Sequence, residues 1–386
     1  MQLMEVDLRA EFLLDPSVTF LNHGSYGACP RPVFEEYQRW QRELERQPVE
    51  FLGRRHTGLI EESRAALGQY LNADPDDLIY TDNATAGVNI VAKSLDLQQG
   101  DEVVTTDHEY GACNLTWQYL HERHGVLIKR AEIDLPVATP EQLVETIWAQ
   151  VTERTRVIYL SHITSFSALI IPVEELCRRA RAAGIFTLID GAHAPGQIPL
   201  DMAAIGADCY AGNLHKWFCA PKGTGFLHVR PEHQEWMQSV IVSWGWGEGR
   251  PEFGTTRFQR RNTWQGTRDP AAYLTVPAAI RFQEEHDWPS VRARCHDLVC
   301  QTRRRIANLT GLPEIAPEST AWFMQMATCP VRTDDIAALK RKLYDHCRIE
   351  IPCMEGKGRQ FVRVSIQGYN TEEDADRLLE ALEELL

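Results

Sequence analysis

Two periodicities alternate along the chain between residues 59 and 230. Apolar residues at helical spacing fill 59–71 (LIEESRAALGQYL), 85–95 (TAGVNIVAKSL), 139–151 (TPEQLVETIWAQV) and 173–184 (VEELCRRARAAG). Recurrence at every third or fourth position gives a helix one apolar face. Short β-branched or apolar runs lie among them: 101–106 (DEVVTT), 125–133 (GVLIKRAEI), 156–162 (RVIYLSH), 184–190 (GIFTLID), 208–212 (DCYAG) and 225–230 (GFLHVR). Bounded by Gly, Asp or Pro, these read as strands. Thr139 is placed to cap its helix, with Pro140 in the first turn and Gln142 completing a capping box, and Gly184 stands where a helix C-terminus favours glycine. Helix and strand in alternation predict an α/β fold with a mainly parallel sheet between helices.

The pattern changes at 231–270, where Trp, Gly and Arg crowd into SWGWGEG (243–249) and RFQRRNTWQGTRDP (257–270) with little periodicity. This predicts a long functional loop region. Beyond it come helices over 271–310, a strand at 322–331 (WFMQMATCPV) and a helix at 333–347 (TDDIAALKRKLYDHC). Paired strands at 348–353 (RIEIPC) and 360–366 (QFVRVSI) and a helix at 371–386 end the chain. The expected organisation is an N-terminal arm (1–20), a large domain (21–270) and a smaller α+β C-terminal domain (271–386).

Composition narrows the function classes. The 386 residues carry 40 Lys and Arg against 54 Asp and Glu, a formal charge of -14, which disfavours a nucleic-acid partner, since phosphate recognition needs clustered cations. Arg303 to Arg305 read as a solvated helix face. No run reaches the roughly 20 apolar residues of a membrane span, and the opening MQLMEVDLRAEFLL lacks a basic start before an apolar core, so a cytoplasmic location is expected. The 10 cysteines show no CxxC pair and suit reduced, mostly buried thiols. His121 and His124 lie three apart without the HExxH order, so a surface helix is expected there and no metal site.

In open α/β sheets, ligand groups gather beyond the carboxyl ends of strands. Five predicted strand ends carry such groups: Asn83-Ala84-Thr85, Glu109-Tyr110, His162 to Ser165, Asp190 with His193, and His215-Lys216. The polar turn before 85–95 opens a helix whose free N–H groups favour phosphate. Asp190 ends an apolar strand, where a buried carboxylate needs a cationic or hydrogen-bonding partner such as a protonated pyridine nitrogen. Lys216 sits in apolar surroundings, which favour a neutral amine that can attack carbonyls to form a Schiff base. Phosphate cradle, pyridinium partner and Schiff-base lysine are the three protein functions that pyridoxal phosphate demands.

The chain resembles the fold-type I pyridoxal-phosphate enzymes of the class V aminotransferase family, most of all their isopenicillin N epimerase branch. The resemblance runs nearly end to end, through LNHGSYGACPRPVF, DNATAGVNIVA, TDHEYGA, SHITSFSALIIPVEELC, DGAHAPGQIPLD, GNLHKW, CAPKGTGFLHV, QGTRDP and RVSIQGYNTEED. It implies a seven-stranded sheet and an internal aldimine on Lys216, with Asp190 on the ring nitrogen and His193 near the phenolic oxygen. It further implies that Ala84, Thr85, Ser165, Asn213 and His215 contact the cofactor, and that Thr267 reaches the phosphate from the other subunit of a homodimer with shared sites. Tyr110 falls where relatives place a stacking ring, Arg363 matches the arginine that grips a substrate carboxylate, and Asn22, His23 and Tyr26 border the substrate pocket.

With such a cofactor the chemistry happens at the α-carbon of an amino-acid-like substrate, and Lys216 is the expected general base. Reprotonation on the opposite face gives epimerisation, for which Tyr110 or His23 is the candidate second donor. Loss of a β-substituent would make a carbon-sulfur lyase. A cysteine desulfurase would need a mobile loop thiol, whereas Cys353 lies in a predicted strand and reads as structural. A non-catalytic cofactor-binding protein has no use for Lys216, Asp190 and Arg363 together.

Overall fold

The computed structural model describes residues 8–247 and 253–386; part of the Trp-rich 243–249 stretch and the first residues of the expected arm lie outside them. Twelve strands occur among the described residues. They are β1 (Thr19–Phe20), β2 (Leu78–Thr81), β3 (Glu102–Thr106), β4 (Leu127–Ala131), β5 (Thr155–Ser161), β6 (Phe186–Gly191), β7 (Cys209–Asn213), β8 (Gly225–Val229), β9 (Met326–Val331), β10 (Ile349–Glu350), β11 (Cys353–Gly356) and β12 (Arg359–Ser365). Seven of them form the central sheet in the order β2-β8-β7-β6-β5-β3-β4. Only β8 runs against its neighbours, and every other pairing is parallel. The mainly parallel sheet expected from the alternating pattern is therefore present, with the seven strands that the family resemblance implies.

Parallel strands covered on both faces must be apolar on both. In β5 and β6 the residues Val157, Tyr159 and Leu188 enter one core cluster, while Ile158, Leu160 and Ile189 enter the other. Asp190 follows Leu188 by two on the same face. A carboxylate thus sits at the end of an otherwise apolar row. The chain leaves β3 for β4 on one side and resumes with β5 on the other. That reversal opens a crevice beyond the carboxyl ends, where ligands bind in open sheets.

Near the C-terminus the second sheet has the order β11-β12-β9. Here one expectation is corrected: RIEIPC does not pair as a unit with QFVRVSI. Its first half, β10, joins β1 in a parallel pair, and only Cys353 onward pairs with β12. Pro352 has no N–H to donate to a ladder, so the run breaks in two there. The β1–β10 pair and an Asn22–Ser365 bridge carry the following turn, His23–Tyr26, to the crevice.

The 231–270 region is not wholly loop, since Arg257–Thr263 is a helix capped by Thr256. Arg31–Arg46, a 16-residue helix, was also not expected: flanking prolines and a run of charges leave only Val33 and Leu44 buried to mark its face. The capping box at Thr139 forms by half, with its hydroxyl accepting from Gln142 N; the reciprocal box stands at Thr371 and Asp374. No helix of the described residues is long and apolar enough to cross a membrane.

Candidate active site

The crevice encloses a chamber of about 240 Å³. Strand ends β2, β3, β5, β6 and β7 supply, in turn, Ala84 and Thr85, Tyr110, Ser165, Asp190 with His193, and Asn213 with His215 and Lys216 to its wall, and Tyr26 completes it from the N-terminal turn. These residues, scattered over 190 positions of sequence, meet because parallel strands place all their carboxyl ends on one edge.

Lys216 follows β7 in a turn held from two sides. Its carbonyl accepts from Cys219 N at 2.9 Å and from His23 Nε2 at 3.1 Å. Behind it, Gly27 adopts φ 69°, and a Cβ there would lie 2.1 Å from His215 O and 2.8 Å from Lys216 Cα. The side chain is half-buried, its amine opening into the chamber 3.2 Å from His193 Nε2. Burial and then the Arg363 charge lower its pKa to about 8, against an opposing pull from Asp190. At pH 7 about a tenth of the amine is therefore unprotonated and nucleophilic, against under roughly a thousandth for an ordinary lysine.

Asp190 is buried and accepts three hydrogen bonds: from Ala192 N at 2.9 Å on Oδ1, and from Tyr159 Oη at 3.1 Å and Cys113 Sγ at 3.5 Å on Oδ2. Burial pushes its pKa up, and these donors and Lys216 oppose the push. No arginine or lysine pairs directly with it among the described residues, so a cationic ring nitrogen would meet an uncompensated acceptor. Tyr159 and Cys113 were not foreseen. Tyr159 was nonetheless legible from the two-residue alternation that puts it, like Asp190, on one sheet face.

At the far end, the helix Ala84–Ser94 starts with Asn83 as cap, its side chain accepting from Ala86 N. Asn213 Oδ1 accepts from Ala84 N at 2.7 Å, so it braces the cradle, and the Ala84 amide is engaged. His215 Nδ1 donates to Thr224 O at 3.1 Å, and burial lowers its pKa to about 4. An arriving phosphate would favour its second proton, turning Nε2 into a donor. Lysine amine, buried carboxylate and helix N-terminus fit the aldehyde, ring nitrogen and phosphate of pyridoxal phosphate.

Arg363 lies just behind the wall. Its Nη1 donates to the carbonyl and hydroxyl of Ser165, and its Nη2 to Ser25 Oγ at 3.3 Å. Ser25 in turn donates to Asn22 Oδ1 at 2.6 Å, and Asn22 Nδ2 donates to Glu350 at 2.8 Å. Among the described residues the guanidinium has no carboxylate partner and its buried Nε no acceptor, and burial lowers its pKa to about 10. Such a group favours an incoming anion. Ser165 thus braces Arg363, and Asn22 acts through Ser25, a wall residue that sequence reasoning overlooked.

Besides Arg363 and Asn22, two more expected contacts do not reach the chamber wall. His23 is fully buried behind Lys216, its Nδ1 on Tyr369 Oη at 3.1 Å and its Nε2 on the Lys216 carbonyl, with a pKa lowered by burial to about 3. A neutral ring with both nitrogens engaged supports the lysine turn and is no proton donor to the chamber. Thr267 is exposed and absent from this chain's wall.

The close packing at Gly27 gives a test. Gly27→Ala, with a left-handed backbone and no room for a methyl group, should cost about 1–3 kcal/mol of stability in denaturant titration and weaken cofactor retention by shifting the lysine turn. Wild-type stability and retention in that variant would contradict the packing described.

The class-V aminotransferase model matches residues 29–378. Over 98% of both chains, the protein is 37% identical to isopenicillin N epimerase of Streptomyces clavuligerus. It is 29% identical to putative L-cysteine desulfhydrase 1 of Oryza sativa subsp. japonica, over 98% of this chain and 86% of the relative. Among solved structures, the cystine C–S lyase C-DES in complex with cysteine persulfide superposes with a TM-score of 0.82 at 24% identity, covering 95% of this chain and 98% of that one. Reach of the family match and the near-complete overlap with the epimerase place the chain in the class-V aminotransferase family.

Proposed function

We propose that this pyridoxal-phosphate enzyme acts at the α-carbon of an amino-acid-like substrate and inverts its configuration. When bound, the cofactor supplies an electron sink for the bond broken at that carbon. The chain supplies the rest. Lys216, its proton affinity lowered, takes the α-proton; Asp190 stabilises a protonated ring nitrogen; Arg363 meets the carboxylate.

The observation that carries inversion is a second proton-bearing group on the same wall. Lys216 enters from beyond β7 and Tyr110 from beyond β3, on opposite sides of Asp190 in the strand order. Epimerisation needs such a pair, and full-length similarity to an epimerase supports the reading. The other reading is β-elimination by a carbon-sulfur lyase, favoured by the desulfhydrase relatives. A desulfurase reading is weakened because Cys353 begins strand β11, does not line the chamber, and has its thiol pushed by burial to about 12.

Amino acids incubated with the protein in deuterated water should gain α-deuterium with inverted configuration, and Lys216→Ala should abolish both this and the yellow colour. In Tyr110→Phe, inversion should fall at least 100-fold, at the low end of general acid–base contributions, while exchange with retention persists. Pyruvate or sulfide in place of the inverted product would decide for the lyase.

The pH dependence follows from the sign of the Lys216 shift. Only the neutral amine attacks an aldehyde, so cofactor uptake by the apoprotein should accelerate as pH rises towards about 8 and level off above it. Continued acceleration towards the ordinary lysine value of about 10.4 would show the amine to be unperturbed.

We also propose a homodimer with shared sites. Thr267 is exposed, and Val240, Ile241 and Val242 are 52%, 50% and 64% exposed, an apolar run that suits burial against a partner. Light scattering should return twice the mass of 44.0 kDa; a monomer with full activity would refute the sharing.

A further inference from the structure

Both ring nitrogens of His193 are engaged. Nδ1 lies 3.3 Å from Trp217 Nε1, and Nε2 lies 3.2 Å from Lys216 Nζ. An indole nitrogen can only donate, so Nδ1 must present its lone pair. A neutral imidazole carries one N–H, which leaves the proton on Nε2. Lys216, Arg363, His215 and His23 are the titratable and charged groups that face this buried ring, and each opposes a second proton. Nε2–H therefore points into the chamber, at an amine that accepts it only when unprotonated.

The donor is held as firmly as the ring. Trp217 is fully buried, with its indole against the His23 ring at a centroid distance of 4.9 Å. Its backbone packs on the turn that follows His193: Gly196 has φ 83°, and a Cβ there would meet Trp217 O at 2.3 Å. Gln197 Nε2 donates to His193 O at 2.9 Å within that turn. Both rings are buried.

We infer that Trp217 is a positioning residue whose indole N–H fixes the Nε2–H tautomer of His193, so that the imidazole offers the chamber a proton and never a lone pair. Only the identity of the accepting atom rests on the function proposed above. The family resemblance would put the phenolic oxygen of pyridoxal phosphate there, where a fixed donor would favour the ionised phenolate and lower the pH at which the bound chromophore titrates.

The tautomer can be read without cofactor. In the apoprotein labelled with 15N-histidine, at a pH above about 8 where the Lys216 amine is neutral, two-bond proton–nitrogen correlations should show His193 protonated at Nε2 and bare at Nδ1, and W217F should give a mixture of tautomers. A wild-type spectrum with the proton on Nδ1 overturns the inference, and decides it even if W217F does not fold. In the loaded protein, W217F should raise the pH midpoint of the visible spectrum by on the order of one unit. H193Q supplies an amide N–H with no tautomer to choose, so adding W217F to H193Q should move the midpoint no further. An undiminished shift in that background would mean that Trp217 acts through packing, and the inference would fail. A protein that takes up no cofactor would refute the functional reading, and the nitrogen spectrum would still decide the tautomer.

Discussion

The arrangement depends on an amine that the fold keeps short of its proton. Lys216 would be an ordinary surface cation if its turn relaxed towards solvent. Burial and the neighbouring Arg363 charge weaken its hold on the proton, while Asp190 pulls the other way. The balance holds because the turn is pinned: His23 and Cys219 bond the Lys216 carbonyl, and Gly27 packs its bare Cα against the backbone. Residues that never touch a ligand thus set the reactivity of the one that does.

Around this amine the chamber is divided by charge. The β6 end holds a carboxylate that accepts from three donors, the helix opening at Ala84 presents backbone dipoles, and Arg363 waits behind two serines, its Nε without a partner among the described residues. Negative and dipolar ends lie on one chamber of about 240 Å³, and the positive group stands just behind its wall. The small sheet contributes β12, which carries Arg363, and the separate β1–β10 pair brings Ser25 to meet it. The large sheet alone would build the lysine and carboxylate walls and leave out the guanidinium behind them.

Much of this was legible in the chain. The alternation of periods announced the sheet, and the strand-end rule picked out Asp190, His193, His215 and Lys216 together, because strand ends can be read from where apolar runs stop. Second-layer partners were harder. Tyr159 and Cys113 look like core residues in the sequence, and His23 looks like a catalytic one. Which of them faces the chamber depends on whether a ring nitrogen points at a backbone carbonyl or at open space, and local pattern does not encode that. The split of RIEIPC between two sheets escaped for a related reason: its pairing partner, Thr19–Phe20, lies some 330 residues away.

By itself the sequence determined the kinds of group available and the order of strands and helices that would carry them, since hydrophobic periodicity and the backbone demands of Gly and Pro act locally. The tertiary structure decided which groups meet. It turned Ser165 and Asn22 into braces for Arg363, set His23 behind the lysine turn, and aimed the Trp217 indole at His193. Hydrogen bonds act over about 3 Å, and only the folded chain brings residues hundreds of positions apart within that reach.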